Sequence, residues 1–242
     1  MLTDILVILD RSGSMSGAKA DHEGGLRAFV DDQQADGDAL FTLVQFDSHD
    51  PCEIVYDRVP IADVGKIELV PRGGTPLYDA MGRAIIYLRA RQSERPSDVT
   101  IVLVVTDGEN NEWREHNKDS IRKLIAEVEP KGWKVLYLGA NIDAFAEAQK
   151  VGVQQDFTMN YATSHGTRAA YSATSSNVMR ARNVAAQALA SSGGGGVGIG
   201  GDWAGHLAYT SGQRESAGGG GTTTGASTTT GSVTTEAAKE TE

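Results

Sequence analysis

The chain has 242 residues, with 22 Lys and Arg against 32 Asp and Glu, giving a formal net charge of −10 and a pI of about 5.0. That balance argues against a nucleic-acid backbone or an anionic membrane as partner, since both require basic patches. Cys52 is the only cysteine, which excludes an intramolecular disulfide and a thiolate metal site.

The N-terminus, Met1-Leu2-Thr3-Asp4, enters an apolar run directly, without the basic and then hydrophobic segments of a secretion signal. No stretch approaches the roughly 20 apolar residues that span a bilayer. The expected location is cytoplasmic, or the virion if the chain is phage-encoded. Residues 5–10 read as a strand buried on both faces, rich in isoleucine and valine. A helix follows over 18–35, with Leu26, Phe29 and Val30 on one face, interrupted by Gly24-Gly25. Residues 40–46 form a second strand, and a short loop with Asp50-Pro51 leads to a third at 53–56, which should pair antiparallel at an edge. Thr75 is expected to cap the next helix, with Pro76 in its first position; Leu77, Ala80, Met81, Ala84, Ile85 and Leu88 supply its apolar stripe.

Residues 99–105 are β-branched enough for a central strand. Helices at 117–128 and 142–150 alternate with strands at 134–138 and 156–159, and a last helix runs to about residue 191. This alternation predicts an α/β fold, a Rossmann-like, doubly wound and mostly parallel sheet of about six strands with helices on both faces. Ligands of such sheets bind at the carboxyl ends of strands, where the strand order reverses. The domain reads as 1–191, followed by a glycine-rich linker at 192–201, a short aromatic-containing segment at 202–215 with Trp203, Leu207 and Tyr209, and a Gly/Thr/Ser-rich tail at 216–242. The glycine run lacks the Lys-Ser or Lys-Thr of a phosphate-binding loop.

The chemistry concentrates where strands end. Asp10-Arg11-Ser12-Gly13-Ser14 follows the first strand and offers a carboxylate and two hydroxyls at alternate positions, which point the same way in extended chain. Arg72-Gly73-Gly74-Thr75-Pro76 adds a hydroxyl at a helix start, and Thr106-Asp107-Gly108 adds a carboxylate after the central strand. Three hydroxyls and two carboxylates around one centre are hard oxygen donors, suited to Mg²⁺ or Mn²⁺ and not to zinc or copper. Such a donor set neutralises the cation only in part, so a partner's carboxylate would be drawn to its open position. The bland alternative is a set of capped polar turns.

Together these three stretches resemble the metal-ion-dependent adhesion site of von Willebrand factor A (VWA) domains, and the element order from residue 4 to 191 resembles that family too. The resemblance implies that Ser12, Ser14 and Thr75 bind the metal directly, Asp10 through water, and Asp107 directly or through water. It also implies one antiparallel edge strand and a partner Glu or Asp that completes the coordination. Free-standing domains of this kind point to a bacterial or phage setting. Around the metal positions, Asp47, Ser48 and His49, and Glu109, Asn110 and Asn111, are candidate partner contacts, with Trp113 an anchor if it is exposed. Asp79 reads as stabilising the helix dipole, and His116 as a loop residue lacking an acid or nucleophile partner.

The functional expectation is a non-enzymatic, Mg²⁺- or Mn²⁺-dependent protein-binding module, whose partner is an AAA+ ATPase or an assembly subunit. A structural or virion component is the alternative. A metal-dependent phosphoester hydrolase ranks behind both, because it needs a positioned base or a second metal.

Overall fold

Hydrophobic side chains on both faces explain why Thr3–Asp10 becomes the strand at the centre of the protein: all eight of its residues are buried. The computed structural model describes residues 1–163, 166–191 and 202–218. Six strands form one sheet in the order β3-β2-β1-β4-β5-β6, comprising β1 (Thr3–Asp10), β2 (Leu40–Phe46), β3 (Glu53–Pro60), β4 (Val99–Thr106), β5 (Trp133–Ala140) and β6 (Thr158–Tyr161). All pairings are parallel except β2 with β3, the antiparallel edge.

Helices α1 (Lys19–Ala35), α2 (Leu77–Glu94), α3 (Lys118–Val128), α4 (Ala144–Lys150), α5 (Gly166–Ser191) and α6 (Ser211–Ser216) complete the chain. From β1 the chain crosses to β2 on one side through α1, then returns across the sheet to β4, β5 and β6 through α2, α3 and α4. Right-handed crossovers in opposite directions place α1 on one face and α2, α3 and α4 on the other. Helix α5 then packs against α1, with Gly25 of α1 beneath the ring of Tyr171. A Cβ at Gly25 would lie 2.4 Å from Tyr171 Cδ2, whereas one at Gly24 would meet nothing. The glycine pair therefore does not break α1; half of it makes room for α5.

The element boundaries shift for local reasons. α1 is preceded by a 3-10 turn over Gly13–Ala18. Asn117 lies outside α3 as its cap, bonded to the Asp119 and Ser120 amides, while Ser120 returns the bond. Asp143 caps α4 by accepting from the Ala146 amide at 3.0 Å, and Asn141 before it is left-handed, with φ 57°, so no helix starts at 142. A 3-10 turn over Gln155–Phe157 delays β6 to Thr158. β3 runs past 56 to Pro60 through an irregular register, where Arg58 at φ 47° sends its guanidinium to buried Asp4 at 2.8 and 3.0 Å.

Residues 202–218 pack on the domain. Trp203, Leu207, Tyr209 and Ala217 are buried in the common core. Tyr209 donates its amide to Asp156 O at 2.8 Å, and Ala162 donates to Ala217 O at 2.9 Å. The Tyr209 hydroxyl meets Thr174 Oγ1 of α5 at 2.8 Å. Residues 216–218 close this docked segment; the expected linker at 192–201 and the remainder of the expected tail lie outside the described residues. Among the described residues no helix is long and apolar enough to cross a membrane.

Candidate metal centre

β1 is where the strand order reverses, because β2 lies on one side of it and β4 on the other. The loops after β1 and β4 thus diverge over opposite faces and leave a crevice between their carboxyl ends. Leu9 pairs with Val105, which sets Asp10 beside Thr106 and puts Asp107 at the crevice mouth. The register alone brings the two motifs together.

Asp10, Ser12, Ser14 and Asp107 form one hydrogen-bonded chain. Asp10 Oδ1 accepts from the Ser12 amide at 2.6 Å, and its Oδ2 accepts from Thr106 Oγ1 at 2.6 Å. The Ser12 and Ser14 hydroxyls lie 3.0 Å apart, and Ser14 Oγ donates to Asp107 Oδ1 at 2.6 Å. Thr75 joins from a third segment: a Cβ on Gly108 would sit 3.2 Å from Thr75 Oγ1, so the missing side chain lets this hydroxyl reach the backbone just beyond Asp107. Two further bonds lock the loop carrying Thr75. Gly13 donates to Gly73 O at 3.0 Å, and Arg72 donates to Arg11 O at 2.8 Å.

Thr75 does not cap α2 as its sequence position suggests. The helix starts at Leu77 with Pro76 ahead of it, and no side chain of its own caps it. Asn110 Oδ1 takes the Tyr78 amide at 3.0 Å instead, while Asn111 accepts from the Thr75 amide at 2.8 Å and donates its own amide to Thr75 O at 3.2 Å. The loop after β4 therefore supplies the cap. Thr75 is only 2 % exposed, and its hydroxyl makes no hydrogen bond among the described residues.

Burial pushes the Asp10 carboxyl up to about 6, against the opposing hydrogen bonds from Thr106 and Ser12, with nearby Asp107 adding to the rise. Burial likewise raises Asp107, and the Ser14 hydroxyl offsets part of it. Among the described residues no cationic side chain faces either group; Arg11, the nearest in sequence, turns away to Asp47 and Glu53. Asp10, Ser12, Ser14 and Asp107 are thus linked without a counter-charge among the described residues, with the Thr75 hydroxyl against neighbouring Gly108. Among the described residues no group of three or more His, Cys, Asp and Glu could hold a metal ion, so a cation here would depend on the hydroxyl oxygens. These all-oxygen donors fit a hard divalent ion.

The candidate contacts around this centre divide. His49 and Glu109 are exposed and available to a partner. Asp47 is fully buried and is not: it accepts from Arg11 Nε, from Arg72 Nε at 2.9 Å and from the His49 and Asp50 amides at 2.6 and 3.0 Å. Burial alone would raise its carboxyl, yet these bonds hold it at about 2. Asp47 is a strut that fixes the Arg11 and Arg72 loops relative to each other. Asn110 is largely committed to capping α2. Asp79, expected to serve the helix dipole, is buried and accepts the amides of Arg114, Glu115 and His116 at 2.7, 3.0 and 2.7 Å, holding the loop beyond Asp107 in place. Trp113 in that loop is 60 % exposed. The His116 ring packs over Gly82 of α2, which fits a loop role. The sequence gives no sign of the Asn111–Thr75 pairing or the Arg11–Asp47–Arg72 strut beyond opposite charges in loops expected at one end of the sheet.

No family model and no curated protein matches the chain. Solved structures match it in fold. Proximal thread matrix protein 1 from the mussel byssus superposes with a TM-score of 0.55 at 17% identity, covering 74% of this chain and 45% of that one. The PilB minor pilin from Streptococcus sanguinis gives 0.52 at 15% identity, covering 74% and 61%. The SpRpn10 VWA domain gives 0.46 at 10% identity over 67% and 88%, too distant to carry an argument. The chain thus spans less than two thirds of the first two structures. At these identities the likeness is one of fold.

Proposed function

We propose that the chain is a non-enzymatic protein-binding module of the VWA type, with a metal-ion-dependent adhesion site formed by Asp10, Ser12, Ser14, Thr75 and Asp107. One observation carries the reading. Three segments far apart in sequence are held together by hydrogen bonds, so that Asp10, Ser12, Ser14 and Asp107 are linked with no cationic side chain beside them among the described residues, and the Thr75 hydroxyl lies against Gly108 without a hydrogen bond of its own. The structural alternative, capped turns, accounts for Asp10 and Ser12 but leaves Thr75 without a task.

In this reading Ser12, Ser14 and Thr75 hold Mg²⁺ or Mn²⁺, and Asp10 and Asp107 balance its charge. A bound ion would supply an open position for a Glu or Asp of the partner. Thr106 keeps Asp10 oriented, Asn111 keeps Thr75 in place, and the Asp47 strut prevents the loops from spreading. The partner class we favour is an AAA+ ATPase or an assembly subunit, in a bacterial or phage setting. A hydrolase reading lacks a base: Asp107 is committed to Ser14 and Glu109 is exposed.

The test is capture of partners from host lysate by tagged wild type, Asp10→Ala and Ser12→Ala, each with Mg²⁺ or EDTA. A protein retained only by wild type with Mg²⁺ supports the reading. Identical capture in every lane refutes it.

A further inference from the structure

In the metal-site reading the bound ion takes a carboxylate from outside the site, and among the described residues no third Asp or Glu completes a cluster there. We propose that, while no partner is bound, this position is filled by the chain's own Glu236, Glu240 or Glu242, tethered to the domain by residues 219–235. The proposal rests on the metal-site reading and adds an internal competitor to it.

The place where the tether begins supports this. The docked segment ends at the carboxyl end of β6: Ala162 donates its amide to Ala217 O at 2.9 Å, and a Cβ on Gly218 would sit 3.1 Å from that of Ala162. In the parallel part of the sheet this is also the end at which Asp10 and Asp107 follow β1 and β4. Thr163, next to Ala162, lines the same small cleft as Ser14 and Asp107. Residues 219–242 lie outside the described residues, and their sequence falls into two parts. Residues 219–235 are Gly, Thr, Ser, Ala and Val, with no charged side chain, whereas Glu236, Glu240 and Glu242 follow within one short stretch against Lys239 alone. A linker of small, uncharged residues about 18 long has an r.m.s. span of about 23 Å, enough to cross one cleft. Such a tether holds its far end at an effective concentration in the millimolar range, so a contact too weak to form between separate molecules is still populated. Without a cation Asp10 and Asp107 repel the glutamates; with one the sign reverses, which makes the contact metal-dependent. A partner that adds further contacts to its carboxylate displaces the tail, and an isolated surface glutamate does not.

The experiment uses the full chain labelled with ¹⁵N, its amide spectrum recorded with Mg²⁺, with equimolar paramagnetic Mn²⁺ and with EDTA. Mn²⁺ in the site should erase the signals of residues 12–14 and 107–108. Along a tail that makes no contact, intensity recovers steadily with distance from residue 218. The expected profile falls a second time, with residues 236–242 at least about twofold weaker than 226–230, as for a contact populated about half the time. In the triple variant Glu236→Gln, Glu240→Gln, Glu242→Gln this second minimum should vanish while the signals at the site stay erased. Erased site signals with a steady tail profile overturn the internal contact and leave the metal reading standing. A second minimum that survives in Thr75→Val, where the site signals are no longer erased, shows that the glutamates bind Mn²⁺ by themselves and also overturns it. Broadening of residues 236–242 in labelled Thr75→Val mixed with unlabelled wild type overturns it too, by assigning the carboxylate to a second copy. If residues 12–14 and 107–108 stay sharp in Mn²⁺, the metal reading fails and the proposal with it.

Discussion

Thr75→Val is the substitution that best separates a metal ligand from a structural residue. Removal of most other site groups damages the fold at the same time: Ser14→Ala, for instance, breaks bonds to Ser12 and Asp107. Thr75 is held by its backbone, through the amide and carbonyl bonded to Asn111 at 2.8 and 3.2 Å, and valine keeps both bonds and the branched shape. No partner is stranded when the hydroxyl goes, so the change in EDTA should stay below about 1 kcal/mol. For a domain of this size that is about 2–4 °C at most. With Mn²⁺ at one hundred times its dissociation constant, wild type should gain about 2.7 kcal/mol, roughly 5–11 °C. If the loss of a ligand weakens binding about a hundredfold, the same concentration gives the variant only RT ln 2, about 0.4 kcal/mol or 1 °C. Thermal melts of both proteins, with EDTA and with Mn²⁺, read this directly. A variant that keeps the full metal increment shows that Thr75 is not a ligand. One that drops by more than about 2 kcal/mol in EDTA shows that the hydroxyl holds the fold.

Three other outcomes test the surrounding structure. His22 is buried between the hydroxyls of Tyr161 and Tyr171, 3.4 and 3.3 Å away, and burial pulls it down to about 4 against the nearby charge of Asp21. Its folded value lies below the unfolded one, so its stabilising contribution is complete above about pH 6.5 and is lost as pH falls toward 4. That loss is on the order of 2 kcal/mol by pH 5; denaturant titrations should show His22→Gln losing that much less than wild type between pH 7 and 5, and parallel curves would refute the assignment. Asp47→Ala leaves the buried Arg11 guanidinium with Glu53 alone and should lower stability by about 3–5 kcal/mol, where a loss below about 1 kcal/mol would show that the strut is dispensable. Gly24→Ala should stabilise α1 by about 0.5–1 kcal/mol, while Gly25→Ala, facing Tyr171 at 2.4 Å, should destabilise it. Equal effects at the two positions would contradict the α1–α5 packing.

Local sequence carried the parts of this fold that depend on local physics. Strands buried on both faces announce themselves by β-branched runs, and Val99–Thr106 and Leu40–Phe46 are found where those runs lie. The element alternation dictates a parallel sheet, and the sheet dictates where Asp10 and Asp107 must meet. What escaped was decided by partners distant in sequence. Gly25 reads as a helix breaker until Tyr171, far along the chain, is placed against it. Thr75 reads as a cap because the true cap, Asn110, comes from another loop. Asp47 reads as a surface acid because both its arginines are supplied from elsewhere. Trp203, Leu207 and Tyr209 read as an isolated island because the α5 and β6 surfaces that bury them carry no periodic signal of being incomplete.

The same distinction explains why the candidate site stands out from the rest of the polar structure. Two other buried acids are answered by arginine, Asp4 by Arg58 and Asp47 by Arg11 and Arg72, while Asp79 is held by three backbone amides. Asp10 is equally buried but is answered only by neutral donors, and its carboxyl rises to about 6 from the ordinary 3.8. With its folded value above the unfolded one, Asp10 lowers the stability of the metal-free fold as pH rises from about 3.8 to about 6, by on the order of 3 kcal/mol in all, and the loss stays constant above that. An asparagine would escape that penalty, but its single oxygen could accept from only one of Ser12 and Thr106. Asp10, unlike Asp4 and Asp47, has no arginine beside it among the described residues. Asp107 and the unclaimed Thr75 hydroxyl extend the same imbalance across the crevice, which is the electrostatic condition a divalent cation would relieve.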